Sequence, residues 1–451
     1  MRLFGTDGVR GKAGVYPLDP STVRRIGAAL VRGLRHGDDA VRFLVGRDTR
    51  ESGEWIEREL ACGARSQGAL VTSAGVAPTP AVAFLTPRLG YTAGVVISAS
   101  HNPFEDNGIK VFSGAGEKFT EALERRVEDI VLDASWAPPP GDATPTPIEA
   151  IDYRSLYTAH LRGILPADER LASMRVVVDC ANGAMTAVAP RLFQKLGVDA
   201  LCIGCAPDGR NINRGCGSTA PELLARTVVE GGYRFGVAYD GDGDRAIFVD
   251  AGGRVVDGDA VMLMCALQMK AEGRLKGNSV VATVMSNIGL EVALKKAGIG
   301  LVRCAVGDKN VMEEMMRRDL SLGGEQSGHV IFSEHLWTGD GLATSLTVLR
   351  TMLVTGRELS DLASDLTTYP QVLLNVRVPR KVDLGTVPEI AAVVSDVEAR
   401  LAGSGRLLVR YSGTEPLLRI MIEGRDAGEI RRWADDIVRV VEKHLPMATG
   451  D

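Results

Sequence analysis

The 451-residue sequence lacks the marks of several protein classes. Aromatic residues make up only 5% of it, and its formal net charge is only −5. A charge balance this close to neutral argues against nucleic acid or an anionic membrane as the main partner. The first eight residues lack the apolar core of a signal peptide, and no later uncharged apolar run reaches membrane-spanning length. We therefore expect a cytoplasmic protein in which local positive charge holds any anionic ligand.

Cysteine usage argues against two further classes. Seven cysteines, an odd number spread over a long chain, fit reduced and mostly buried thiols better than a disulfide framework. Cys202 and Cys205 have C-x-x-C spacing, but no second cysteine pair or histidine pair completes a zinc site.

The apolar content of 45% and the charged content of 24% are typical of a soluble globular protein. A chain of this length is predicted to divide into roughly three or four domains.

An internal repeat organises most of the chain. Three successive segments have the order strand, helix, strand, helix, strand, which predicts three α/β domains with mainly parallel, mixed sheets. The last segment has the order β-α-β-β-α, which predicts a smaller C-terminal α+β domain with an antiparallel sheet. A proline-rich stretch from Trp136 to Pro147 indicates the first linker. The predicted domains are 1–147, 148–255, 256–368 and 369–451.

Each α/β segment is predicted to end in a polar loop after its third strand, around Ser100, Asp240 and Glu325. Because ligands bind at the carboxyl ends of strands in open α/β sheets, we expect the three loops to converge on one central cleft. The apolar run from Ala93 to Ile97 predicts a strand buried on both faces. It leads to Ser100, a candidate nucleophile beside His101, or else to a cluster that only caps the next turn. Neighbours on an extended chain point to opposite faces, which argues against a direct serine–histidine relay.

Three aspartates at alternate positions, Asp240, Asp242 and Asp244, are spaced for one hard divalent cation. Packing three carboxylates so closely is costly unless a metal neutralises them. The alternative is an exposed acidic turn. A calcium-binding EF-hand would need Glu at the twelfth position of the loop, where the sequence has Ala251. The pattern therefore predicts a Mg²⁺ site that leaves coordination positions for water and for a phosphate oxygen.

A second group of residues, in the last segment, is suited to a phosphate dianion. It combines cationic side chains, hydroxyl groups and backbone N–H groups. The alternative is a simple hairpin turn with flanking charge. The residues concerned are Arg410, Ser412, Gly413, Thr414 and Arg419.

Five other residues are weaker candidates when each is taken alone. Arg10 lies in a glycine-rich segment that either forms a surface turn or binds an anion. Glu325 and Ser327 offer an acceptor and a donor for sugar hydroxyl groups. His329 is either a proton carrier or a hydrogen-bonded core histidine, and Lys110 is either a surface lysine or a site residue. Together with the serine, the metal site and the phosphate clamp, these residues indicate phosphoryl transfer to or from a phosphorylated polyol.

Over its whole length the chain resembles an α-D-phosphohexomutase. Four motifs in family order carry the resemblance: Ser100-His101-Asn102-Pro103, Asp240-Gly241-Asp242-Gly243-Asp244-Arg245, Gly324-Glu325-Gln326-Ser327-Gly328 and Arg410-Tyr411-Ser412-Gly413-Thr414-Glu415-Pro416. Within this superfamily the chain is most similar to the bacterial phosphoglucosamine mutases. That likeness lies in Phe4 to Gly11, in Gly-Glu-Gln-Ser-Gly-His at the sugar loop, and in Val306-Gly307-Asp308-Lys309.

The resemblance implies a covalent phosphate on Ser100 and one Mg²⁺ per chain. The implied metal ligands are the Ser100 phosphate, Asp240, Asp242 and Asp244. The implied reaction interconverts glucosamine 6-phosphate and glucosamine 1-phosphate through a bisphosphorylated sugar, towards UDP-N-acetylglucosamine and cell-wall precursors. The implied partner is a small hexosamine phosphate, and neither nucleic acid nor a membrane is implied. Whether the protein forms a homodimer is left undecided.

The resemblance also implies cleft residues whose acid and base roles it leaves unassigned: Arg10, His101, Lys110 and His329. The implied substrate contacts are Glu325, Ser327, Arg410, Ser412, Gly413, Thr414 and Arg419. Two small departures concern substrate contacts: Tyr411 stands where many relatives have Lys or Pro, and residues 333–337 have an unusual sequence. Three alternatives stay open: a phosphoglucomutase/phosphomannomutase of the same superfamily, a phosphatase with the same metal and serine, and a catalytically silent binding protein.

Overall fold

The structure is a computed structural model that describes residues 3–5, 7–35, 37, 39–138, 147–166, 168–411 and 417–445. The chain divides into two compact units. The first unit comprises residues 1–286 and 297–365, and the second comprises residues 287–296 and 366–451. Within the described ranges, no helix has both the length and the apolar character needed to cross a membrane.

Among the described residues, the first unit contains three mixed β-sheets. The first sheet consists of β1 (Val9–Lys12), β2 (Arg42–Arg47), β3 (Leu70–Val76), β4 (Ala93–Ile97), β5 (Asp106–Ser113) and β6 (Glu149–Ala150). The second consists of β7 (Arg175–Asp179), β8 (Asp199–Ile203), β9 (Phe235–Tyr239), β10 (Ala246–Asp250) and β11 (Val255–Val256). The third consists of β12 (Ser279–Thr283), β13 (Gly300–Cys304), β14 (Leu322–Gly324) and β15 (Val330–Phe332).

The same four-strand arrangement recurs in all three sheets. The strand orders β3-β2-β4-β5, β8-β7-β9-β10 and β13-β12-β14-β15 each contain three parallel strands followed by one antiparallel strand. The predicted repeat and the mixed sheets are therefore confirmed. The predicted repeats end at their third strand, and the antiparallel return strands β5, β10 and β15 were not predicted. Each polar loop is consequently a connection inside its sheet, between a parallel strand and the strand that returns beside it.

In chain order the α-helices of the described residues are α1 (Pro20–Leu34), α2 (Gly53–Ser66), α3 (Thr79–Arg88), α4 (Glu121–Leu132), α5 (Arg154–Arg162), α6 (Ala189–Lys195), α7 (Glu222–Gly231), α8 (Gly258–Ala271), α9 (Ile288–Lys296), α10 (Asp308–Arg318), α11 (Gly341–Thr355), α12 (Leu359–Ala363), α13 (Pro388–Leu401) and α14 (Ala427–His444). Short polar side chains fix where several of them begin. Asp19 accepts a hydrogen bond from the Thr22 amide at 3.0 Å before α1, and Asp340 accepts one from the Ala343 amide at 2.9 Å before α11.

Strands that lead to the polar loops lie deep in the first unit. Every residue of β4 and of β9 is buried, which confirms the prediction for Ala93 to Ile97. Small and β-branched side chains fill the space between helices on both faces of such a strand. A rigid, fully buried strand gives the loop that follows it a fixed starting point.

The second unit contains an antiparallel sheet of β16 (Gln371–Arg377), β18 (Leu417–Gly424) and β17 (Gly405–Tyr411), in that order. Its core joins Ile390 of α13 and Ile437 of α14 to Ile420 of β18. The predicted order β-α-β-β-α and the antiparallel sheet are confirmed. Helix α9 also belongs to this unit, where Asn287 Nδ2 donates to Tyr369 O at 2.9 Å.

Helices α1 and α2 approach each other closely at two glycines. A Cβ atom added to Gly63 would lie 1.8 Å from Arg24 O, and one added to Gly27 would lie 2.1 Å from Leu60 O. Both obstacles are backbone atoms, which cannot move aside as the end of a flexible side chain can. The distance between α1 and α2 therefore depends on having no side chain at either position.

We expect Gly63→Ala to lower the free energy of unfolding by about 1–3 kcal/mol, because the added methyl group forces the two helices apart. Urea denaturation of the full chain measures this change. Arg58→Ala, an exposed position on α2, is the matched control and should change the free energy of unfolding by less than about 0.5 kcal/mol. Equal urea midpoints for Gly63→Ala and the wild type would contradict the described packing.

Candidate active site

The loop between β4 and β5 holds Ser100 in a backbone conformation that is uncommon for a residue with a side chain. Its φ angle is +53°, in the left-handed region. Its amide donates to Ser98 Oγ at 2.9 Å, and only 1% of the residue is exposed. Ser100 Oγ lies 3.3 Å from His101 Nδ1. The sequence argument against direct serine–histidine contact is therefore wrong, because the chain is not extended at Ser100.

A buried ion pair fixes the Ser100 loop. Arg50 and Asp48 are both inaccessible to solvent, and Arg50 Nε lies 2.8 Å from Asp48 Oδ2. The Arg50 guanidinium also donates to the carbonyl oxygens of Ser100 at 3.0 Å and Asn102 at 2.9 Å. Asp48 accepts a further hydrogen bond from Ser98 Oγ at 2.6 Å. Arg50 thus pairs carbonyl groups that an irregular buried loop would otherwise leave unsatisfied.

The loop between β9 and β10 supplies three buried carboxylates beside the serine. Possible ligand atoms of Asp240, Asp242 and Asp244 lie within 4.8 Å of one another. Ser100 Oγ donates to Asp240 Oδ2 at 2.5 Å. Gly241 permits this approach, since a Cβ atom there would lie 2.5 Å from Ser100 O. The structure therefore brings the predicted metal ligands and the predicted nucleophile together.

Two observations show that these carboxylates suit a divalent cation. Asp242 Oδ1 and Asp244 Oδ1 are buried and have no hydrogen-bond partner among the described residues. Burial, followed by the charges of Asp244 and Asp242, raises the pKa of Asp240 well above its usual range. Crowded carboxylates respond in this way when too little positive charge compensates them. An all-oxygen donor set is the kind that Mg²⁺ prefers.

Lys110 on β5 is buried, so the alternative of a surface lysine is wrong. Only 2% of it is exposed. Its Nζ atom lies 2.8 Å from Asp242 Oδ2, 3.1 Å from Asp244 Oδ2 and 3.1 Å from Asp7 Oδ2. Burial by itself would lower the pKa of Lys110, but Asp242 and Asp244 hold that pKa well above its usual value. Lys110 therefore contributes a permanent positive charge to the acidic group.

Asp7, Lys118 and Asp308 extend this charge network, although none of them is a predicted site residue. Lys118 Nζ lies 2.6 Å from Asp7 Oδ1 and also forms an ion pair with Asp308. Asp7 forms a further pair with Arg10. Asp7 and Asp308 lie within short motifs that already distinguish this sequence, so a signal existed for them. Lys118 belongs to no such motif.

His329 precedes β15 and is almost completely buried, with 1% exposed. Its Nε2 atom accepts a hydrogen bond from the Gly339 amide at 3.0 Å, so the ring proton lies on Nδ1. Nδ1 faces Asp244 Oδ1 at a distance of 3.6 Å. His329 thus places a residue of the third sheet beside Asp244. Its role as a proton carrier stays a prediction.

A cavity of about 430 Å³ opens beside the Ser100 loop. Its lining includes the cations Arg10 and Arg245, the carboxylates of Asp308 and Glu325, and the ring of His101. Burial, followed by the charges of Arg245 and Arg10, lowers the pKa of His101 to about 4. The His101 ring is therefore neutral at neutral pH. A cavity whose lining carries both cations and carboxylates suits a small phosphorylated polar molecule.

The remaining predicted substrate contacts are divided between the two units. In the first unit, Glu325 Oε1 accepts a hydrogen bond from the Gly307 amide at 3.1 Å. Ser327 Oγ is buried and has no hydrogen-bond partner in the described part of the chain. In the second unit, Arg410 and Arg419 lie directly opposite each other on β17 and β18. Three predicted residues lie outside the described residues: Ser412, Gly413 and Thr414.

Comparison with known families accounts for nearly the whole chain. The models of phosphoglucomutase/phosphomannomutase alpha/beta/alpha domains I, II and III match residues 1–137, 155–253 and 257–369. The model of the C-terminal domain of the same family matches residues 373–440. The chain belongs to the phosphoglucomutase/phosphomannomutase family. The predicted superfamily and the predicted four-domain architecture are confirmed.

Similar proteins of this family cover the chain from end to end. The phosphoglucosamine mutase of Geobacter sp. (strain M21) is 48% identical over 446 residues, which are 98% of this chain and 98% of the relative. That of Bdellovibrio bacteriovorus is 44% identical over 451 residues, with 98% and 99% covered.

Solved structures of the family share the fold. A phosphoglucomutase/phosphomannomutase family protein from Burkholderia thailandensis has a TM-score of 0.81 at 24% identity, covering 99% of this chain and 98% of that one. N-acetylphosphoglucosamine mutase of Aspergillus fumigatus, in complex with GlcNAc-6P and magnesium, has a TM-score of 0.66 at 18% identity, with 98% and 96% covered. At these identities the likeness concerns the fold alone.

In this phosphoglucomutase/phosphomannomutase family member, we expect Arg50→Lys to lower kcat by on the order of 100-fold, since small displacements of a reacting group have effects of that size. A lysine ammonium cannot pair with Asp48 and with several loop carbonyls in one fixed geometry. KM should change little, because the lining of the cavity does not include Arg50. Steady-state kinetics on a sugar phosphate measure both constants.

The matched control for this variant is Arg47→Lys, in the same strand region. Arg47 pairs with Glu54 and Glu57, both at 3.0 Å, and not with the Ser100 loop. It should keep kcat within about threefold of the wild type, an effect expected of a partly exposed ion pair. A wild-type kcat in Arg50→Lys would show that Arg50 does not position Ser100.

Proposed function

We propose that this chain is a phosphoglucosamine mutase, which interconverts glucosamine 6-phosphate and glucosamine 1-phosphate. The observation that carries the proposal is the contact of Ser100 Oγ with Asp240 inside a group of three aspartates. Relatives at 44–48% identity over nearly the whole chain carry the same name, which supports the choice of sugar. The product would serve the synthesis of UDP-N-acetylglucosamine and cell-wall precursors, with the enzyme in the cytoplasm.

Ser100 is proposed to carry a phosphoryl group between turnovers. The bond from phosphorus to Ser100 Oγ breaks as phosphorus bonds to the free hydroxyl group of the sugar phosphate. The bisphosphorylated sugar then reorients, and Ser100 Oγ takes the other phosphoryl group as its bond to the sugar breaks. His101 Nδ1, 3.3 Å from Ser100 Oγ, is placed to accept the proton of the attacking hydroxyl group and to return it. A serine monoester suits this cycle because it resists water better than an acyl phosphate does.

Asp240, Asp242 and Asp244, together with the Ser100 phosphate, are the residues that would hold Mg²⁺. A bound magnesium ion supplies charge neutralisation for the transferring phosphoryl group. Lys110 keeps one oxygen each of Asp242 and Asp244 paired and leaves their second oxygens available. The protein thereby holds three carboxylates in place close to an anionic phosphoryl group.

Each unit is proposed to supply substrate contacts of its own. Arg10 supplies positive charge in the cavity of the first unit, and Glu325 and Ser327 pair with sugar hydroxyl groups. In the second unit, Arg410 and Arg419 are proposed to bind a substrate phosphate with the segment between β17 and β18. That segment contains Ser412, Gly413 and Thr414. In this proposal, domain 1–147 carries the phosphoserine loop and domain 148–255 carries the metal-binding loop. Domain 256–368 carries the sugar-binding loop, and domain 369–451 binds a substrate phosphate.

Turnover measured on one preparation with several sugar phosphates tests the proposal. We expect kcat/KM for glucosamine 6-phosphate to exceed the values for glucose 6-phosphate and mannose 6-phosphate by at least about 10-fold, the ratio that one extra polar contact supplies. Peptide mass spectrometry should find phosphate on Ser100, and Ser100→Ala should lose nearly all turnover. Ser66→Ala, on the exposed end of α2, is the control.

Three results would decide against this proposal, each in favour of a different function. Preference for glucose or mannose phosphates would indicate the phosphoglucomutase/phosphomannomutase alternative. Stoichiometric release of inorganic phosphate would indicate a phosphatase. Sugar phosphate binding without turnover would indicate a silent binding protein.

Removal of divalent metal tests the aspartate group separately. Exhaustive chelation should abolish turnover, and added Mg²⁺ should restore it, because charge neutralisation supplies much of the catalysis in phosphoryl transfer. Asp242→Asn should lower kcat more than it raises KM. Asp152→Asn, an exposed carboxylate paired only with Arg154 among the described residues, should match the wild type. Activity that survives chelation would contradict the assignment of these ligands.

A further inference from the structure

Four carboxylates line the cavity beside the Ser100 loop: Asp7, Asp244, Asp308 and Glu325. Asp308 is the first residue of α10, and 11% of its side chain is exposed. The hydrogen bond from the Gly307 amide to Glu325 Oε1 holds the start of α10 beside Glu325. Gly307 has a φ angle of +122°, which a residue with a side chain rarely adopts. The backbone at this point is therefore built to present Asp308 next to the loop that carries Glu325.

Asp308 forms an ion pair with Lys118, which is also paired with Asp7. Its Oδ2 atom lies 3.7 Å from His329 Nε2. Asp308 Oδ1 accepts a hydrogen bond from the Lys309 amide at 2.7 Å. Part of the Asp308 side chain therefore faces the cavity.

A carboxylate anion in a cavity wall selects among sugar phosphates by charge. An ionised carboxylate only accepts hydrogen bonds, whereas a primary ammonium group only donates them. A charge-assisted hydrogen bond of this kind is roughly twice as strong as one from a neutral hydroxyl group. The cations Arg10 and Arg245 in the same lining attract the phosphate of any sugar phosphate. Only an amino sugar also carries a cation that can pair with Asp308.

We propose that Asp308 accepts a hydrogen bond from the 2-ammonium group of the substrate and is the residue that selects amino sugars over hexoses. This proposal rests on the function proposed above. Glu325 remains the partner of the ring hydroxyl groups. The proposal gives Asp308 a role beyond the pairing with Lys118.

The test compares Asp308→Asn with the wild type on glucosamine 6-phosphate, glucose 6-phosphate and 2-deoxyglucose 6-phosphate. We expect kcat/KM for glucosamine 6-phosphate to fall about 10- to 150-fold, the loss expected for one charge-assisted contact. The values for the two sugars without an amino group should stay within about threefold of the wild type. Glu314→Gln, on α10 and paired with Arg317 and Arg318, is the matched control and should leave all three values unchanged.

Asp308→Asn removes one of the two carboxylates that pair with Lys118, so a second variant controls for the loss of that ion pair. Asp308→Asn combined with Lys118→Gln removes both charges and should show the same selective loss for glucosamine 6-phosphate. An equal fall for all three substrates in both variants would overturn the proposal and make Asp308 a positioning residue of the charge network. Unchanged values for all three would overturn it too.

Failure of the proposed function would look different from failure of this inference. A wild-type enzyme with no preference for glucosamine 6-phosphate would contradict the proposed substrate. Calorimetric binding of glucosamine 6-phosphate to Ser100→Ala, with and without Asp308→Asn, measures the amine contact independently of turnover. Binding weakened at least about 10-fold by Asp308→Asn supports the contact, and equal binding refutes it.

Discussion

Arg50 is fully buried, and a buried guanidinium is stable only when its charge is neutralised and its N–H groups are paired. Asp48 provides the opposite charge. The carbonyl groups of Ser100 and Asn102 accept hydrogen bonds from Nη2, and those of Pro103 and Asp106 accept from Nη1. The same bonds hold Ser100 in its left-handed conformation, which costs about 1–3 kcal/mol. Breaking a buried ion pair costs about 3–5 kcal/mol. The second cost exceeds the first, so the strained loop persists.

The antiparallel return strand β5 decides which side chains reach this loop. It lies between β4 and β1, and its register pairs Lys110 with Val96 on one side and Gly108 with Arg10 on the other. Lys110 and Arg10 therefore reach the same edge of the first sheet as Ser100. The equivalent return strands β10 and β15 follow the loops that carry the aspartates and Glu325. One repeated strand arrangement thus supplies all three loops of the first unit.

Local patterns in the sequence were enough to predict the parallel strands of the repeat and the domain order. Apolar runs predicted β4 and β9, and the spacing of Asp240, Asp242 and Asp244 predicted a cation site. The conformation of Ser100 was not predictable in this way, because it depends on Arg50, a residue distant in the sequence. The burial of Lys110 depends on the pairing of β5, and Lys118 acts through partners far along the chain. Interactions between distant segments leave no periodic or motif signal in one sequence.

Lys110 pairs with one carboxylate oxygen of Asp242 and one of Asp244 and leaves the other oxygen of each without its ammonium group. It pairs with Oδ2 of Asp242 and with Oδ2 of Asp244, whereas Oδ1 of each has no hydrogen-bond partner among the described residues. Without that ammonium, three buried carboxylates would repel one another and any phosphoryl group on Ser100. With it, the unpaired oxygens are few and the remaining negative charge suits a single divalent cation. The lysine therefore makes it possible for a cluster of aspartates to lie beside Ser100, the residue proposed to receive a phosphoryl group.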